Sequence, residues 1–148
     1  MSVDQIELWH RRARPNPTED DFNVQLGCHF EEIVEMLDTL DFTNADGIEY
    51  EVRATRVAIN ALARMLKSGE LLAHVTDRKE FLDSLADQVV TAVGVGYCAG
   101  MKTSDAVAAV NRSNYSKFDK NGYPIFNENG KIAKGPDYAP PNLEGMYL

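Results

Sequence analysis

Apolar residues recur at three- and four-residue intervals up to about residue 118 and lose that rhythm afterwards. Residues 4 to 13 predict a short helix that stops before Pro15. The stretch "PTEDDF" offers Thr18 as an N-cap with acids in the first turn, so a second helix is expected to run to about Leu40. Its apolar face would be Leu26, Phe30, Ile33, Val34 and Leu37. "DFTNADG" is a polar loop. Beyond it Ile48, Val52, Ile59, Leu62 and Leu66 return at helical spacing, with Arg53, Arg56, Arg64 and Lys67 on other faces and Ser68-Gly69 as a stop. Asp77 can cap a fourth helix to roughly Gly100, and Thr103 or Ser104 a fifth. There is no internal repeat. The expected fold is all-α, a four- to five-helix bundle with an irregular C-terminal tail or small hairpin.

From Asp119 the composition changes: residues 119–148 hold four Gly and four Pro, with a small hairpin possible around Asn129-Gly130. The division expected is a helical domain over 1–118 and an extension over 119–148 that packs on the same domain or on a neighbouring subunit. From Arg112 to Lys134 there are five Lys or Arg against two acids, Asp119 and Glu128. A locally basic stretch in an acidic chain suits a phosphate-binding flap. Composition serves equally well for a solvated tail.

Length and charge narrow the function. A chain of 148 residues that is 44% hydrophobic suffices for one ordinary core. A net charge of -8 disfavours gripping a nucleic-acid backbone or an anionic membrane, though not a small polyanion held through metal ions. No apolar run approaches the ~18 residues of a membrane span, and "MSVDQIELWHRRARPNP" lacks the pattern of a signal peptide, so a cytoplasmic protein is expected. Cys28 and Cys98 stand in apolar helical surroundings without Cys-x-x-Cys spacing, which predicts buried reduced thiols.

The candidate chemistry lies in carboxylates. Glu31, Glu32 and Glu35 fall within an arc of about 100° on the second helix, beside its apolar face. An acidic flank is ordinarily a solvated one. The fourth helix changes that, because "SLADQVVTAVGVGYCAGM" carries Asp87 as its only charge and is expected to be buried; a lone buried carboxylate costs several kcal/mol unless paired or metal-bound. Asp83 lies one turn earlier. Two partners are open at this point: an arginine or lysine such as Arg53 or Arg56, or a divalent cation between facing helices. Five carboxylates exceed what one arginine satisfies, and all-oxygen ligation suits Mg²⁺ or Mn²⁺. A di-iron bundle would need Glu-x-x-His on two helices, and only "ELWH", Glu7 to His10, has that spacing.

"FEEIVEML", "DSLADQVV" and "VNRSNYSKF", in this order and spacing, resemble the MazG-like superfamily of all-α nucleoside triphosphate pyrophosphohydrolases over most of the chain. That superfamily includes dimeric dUTPases and phosphoribosyl-ATP pyrophosphohydrolases. The ending "KFDKNGYPIFNENGKIAKGPDY" is similar to a phage and bacterial branch. The resemblance implies that Glu32 and Glu35 form the first metal pair and Asp87 the aspartate of the second. Glu31 is then the extra acid beside them. Where the family has glutamate three residues before that aspartate, this chain has Ser84, and Asp83 is assigned the missing role. Arg112, Asn114 and Lys117 match the phosphate- and sugar-contacting segment.

The mechanism so implied is Mg²⁺-assisted hydrolysis, with Mn²⁺ a possible substitute. Glu32, Glu35, Asp83 and Asp87 would hold the metal, Glu31 would be the general base, and Arg112 and Lys117 would stabilise the leaving pyrophosphate. The substrate expected is a deoxynucleoside triphosphate, in nucleotide-pool control within a bacterial or phage-infected host cytoplasm, and the assembly a homodimer or homotetramer. Trp9, His10, Asn23, Gln25 and Tyr115 are possible base contacts. The rivals are a catalytically idle nucleotide-binding regulator and a purely structural helical oligomer.

Overall fold

The computed structural model describes residues 3–43, 47–128 and 130–147. Over these the protein is all-α, with five helices: α1 Val3–Ala13, α2 Glu19–Leu37, α3 Glu49–Ser68, α4 Arg78–Cys98 and α5 Thr103–Tyr115. Asn44, Ala45 and Asp46 of the polar loop and Asn129 of the expected hairpin turn lie outside the described residues. No described helix is long and apolar enough to cross a membrane. The chain divides into two compact units, one of residues 17–74 with 128–131 and the other of the remainder.

The first unit is the α2–α3 hairpin. Thr18 caps α2 in a reciprocal box, its hydroxyl accepting from the Asp21 amide while the Asp21 carboxylate accepts from the Thr18 amide. Asn23, Gly27 and Val34 recur along the buried stripe of α2, and Ala63 and Leu66 answer from α3. The helices run antiparallel: the Asn23 side chain takes the Ala73 amide at 2.7 Å, Glu31 meets Lys67, and Asp38 pairs with Arg56. Gly27 sets how closely they approach, because a Cβ there would lie 2.7 Å from the Ala63 carbonyl oxygen and from Lys67 Cγ. Gly69, at φ 75°, closes α3 in the left-handed region.

In the second unit Trp9 and Ala13 of α1 pack with Phe118 just past α5, the Trp9 and Phe118 rings lying nearly parallel with centroids 5.6 Å apart. The C-terminal stretch joins this cluster through Ile132. Ser113 donates to the Ala139 carbonyl at 2.7 Å, the Ala139 amide donates to Ser116 Oγ at 2.9 Å, and the Lys102 amide donates to the Met146 carbonyl at 2.8 Å. Phe126 and Ile132 form a single antiparallel bridge. Gly96 admits Thr103, since a Cβ on it would overlap the Thr103 hydroxyl.

One expectation is overturned here. The apolar sequence from Asp77 to about Gly100 predicts a buried helix, whereas α4 buries no residue. Among the helices of its unit it packs on α5 alone. Leu82, Val90, Val95 and Tyr97 are each more than 60% exposed. Asp77 caps it as expected, accepting from the Lys79 and Glu80 amides at 3.0 Å. Periodicity reports that a helix is apolar; it does not report whether its own chain covers it. Cys98 is exposed like most of α4, against the expected buried thiol, while Cys28 is half-buried, and neither forms a disulfide.

Candidate functional site

The acidic face of α2 is built as its spacing requires, with Glu31 half-buried and Glu32 and Glu35 exposed one turn apart. Glu31 has two partners. Its Oε1 accepts from Lys67 Nζ of α3 at 2.6 Å, and its Oε2 accepts from Lys131 Nζ of the C-terminal stretch at 3.1 Å. The Lys67 hydrogen bond holds the Glu31 carboxyl below the usual carboxylate range against the opposing effect of burial, with Lys131 reinforcing it. Burial works against the Lys131 ammonium, but the bond to Glu31 and the charges of Glu31 and Glu32 outweigh it and raise its pKa. A carboxylate so engaged is a weak base. Of the arginine or lysine partners open for the acidic cluster, lysines take Glu31, while Arg56 pairs with Asp38.

Beside this triad the unit holds a pocket of about 390 Å³, lined by Asp20, Asn23, Leu66, Lys67, Glu128 and Gly130 among others. Asn23 is 1% exposed, and its amide group donates to the Glu19 carbonyl while its oxygen accepts from Ala73. Those bonds make it a brace for the hairpin and occupy the groups a base would need. His10 lies edge-on to Trp9, and burial followed by the Arg14 charge lowers its pKa.

On α4, Asp83 and Asp87 stand one turn apart and both are exposed. The burial expected of Asp87 is therefore not found among the helices of its unit. Arg112 is exposed near the end of α5, Asn114 is half-buried in its last turn, and Lys117 follows the helix. Among the described residues no three His, Cys, Asp or Glu side chains converge on a metal position. Each helix does offer a pair of hard oxygen donors at one-turn spacing. Mg²⁺ ordinarily takes one or two carboxylates and fills its remaining positions with water and phosphate oxygens, so either pair fits it chemically.

The residues that sequence reasoning missed are Lys67 and Lys131. Helical spacing sets Lys67 away from the apolar face of α3, and Lys131 reads only as part of a basic stretch. Their positions 36 and 100 residues from Glu31 leave no local signal. Compared with family models, curated proteins and solved structures, the chain matches none.

Proposed function

We propose that the protein is a Mg²⁺-dependent nucleoside triphosphate pyrophosphohydrolase of the MazG-like kind, cytoplasmic and working as a homodimer or homotetramer. It would convert a deoxynucleoside triphosphate to the monophosphate and pyrophosphate in nucleotide-pool control. The observation that carries this reading is the pair of exposed carboxylates on each of two helices, Glu32 with Glu35 and Asp83 with Asp87, in an all-α chain. Mg²⁺ on these groups would neutralise phosphate charge and acidify a coordinated water. Arg112 and Lys117 place positive charge for the departing pyrophosphate, and Asn114 offers an amide to sugar or phosphate. Glu31 sits beside Glu32 and takes a proton from the attacking water only when its two lysines have moved away. With the terminal phosphates clamped as one unit, the α-phosphorus is the electrophile and pyrophosphate the leaving group.

The test is product analysis by phosphorus NMR with a panel of deoxynucleoside triphosphates and Mg²⁺. Monophosphate and pyrophosphate are expected; a diphosphate and orthophosphate as first products would sink the reading. Mg²⁺ should also raise the melting temperature, and Asp87→Asn should abolish most of that rise while leaving the apo protein folded. A second reading draws on the occupation of Glu31 by Lys67 and Lys131: a regulator that binds nucleotide without turnover, or a structural helical oligomer. Metal-dependent nucleotide binding without product marks the regulator, and neither binding nor product marks the oligomer.

A further inference from the structure

We draw no further inference here: the strongest candidate, the pocket of about 390 Å³ in the α2–α3 hairpin unit with Asp20, Asp21 and Glu128 in its wall beside Lys67, is an acidic cluster at which no second observation points to a ligand.

Discussion

At the scale of single residues, Glu31 decides most. Its hydrogen bonds to Lys67 and Lys131 depress its pKa, so the native state binds fewer protons at Glu31 than the unfolded chain does at moderately acidic pH. The stabilisation is therefore complete above the ordinary carboxylate range and is lost as pH falls through the depressed folded value. With the side chain 29% exposed, solvent screening holds the contribution to the order of 1 kcal/mol or less. Urea midpoints should show the unaltered protein more stable than Glu31→Gln near pH 7, with the difference narrowing at a pH below the ordinary carboxylate range. An equal gap at both pH values would mean that the pairing contributes nothing through ionisation. Asn23 is the contrasting case: an amide that looked available to a ligand is consumed by two backbone groups, because a buried polar side chain must find partners wherever the fold provides them.

At the scale of elements, the α2–α3 hairpin depends on a small residue at its crossing. Gly27→Ala would drive a methyl into the Ala63 carbonyl oxygen and the Lys67 stem, and the carbonyl, being backbone within a helix, has little room to yield. A loss of about 1–3 kcal/mol is expected, read as a lower urea midpoint with unchanged slope. Substitution with no loss would mean that the helices can separate freely. Much of this level was legible beforehand, since Thr18, Asp77 and Gly69 act where their local chemistry placed them, as two N-caps and a left-handed helix end. Caps and stops act within a few residues, which is why a linear pattern carries them. The α2 acidic face was legible for the same reason. The lysines on Glu31 were not, because their proximity is created by the hairpin and by the return of the 128–131 segment. The burial expected of α4 failed on a different ground, as hydropathy is silent about which chain supplies the cover.

At the scale of the whole molecule, α4 carries an apolar face that the other helices of its unit do not bury. Leu82, Ala86, Val89, Val90, Val93 and Tyr97 are all exposed, and at helical geometry they share an arc of about 100°. Asp83 and Asp87 border that arc. In the proposed homo-oligomer a second copy would cover this stripe, and a two-fold arrangement would use it twice. Burying one valine contributes about 1.5–3 kcal/mol, and a lysine in its place would leave an ammonium to be desolvated against apolar side chains. Each substitution counts once per copy in such an interface. Light scattering at micromolar concentration should therefore give two or four times the 16.5 kDa chain mass for the unaltered protein and the single-chain mass for Val90→Lys with Val93→Lys. Helical circular dichroism of the variant should be retained, because both positions are exposed within the chain and the substitution removes no intrachain core contact. Since the acids flank the stripe, the Mg²⁺-dependent rise in melting temperature should shrink in the same variant if a neighbouring copy helps hold the metal, and persist if α4 alone suffices. An unaltered protein that scatters as a 16.5 kDa monomer would end the oligomeric reading and leave α4 as an uncovered helix.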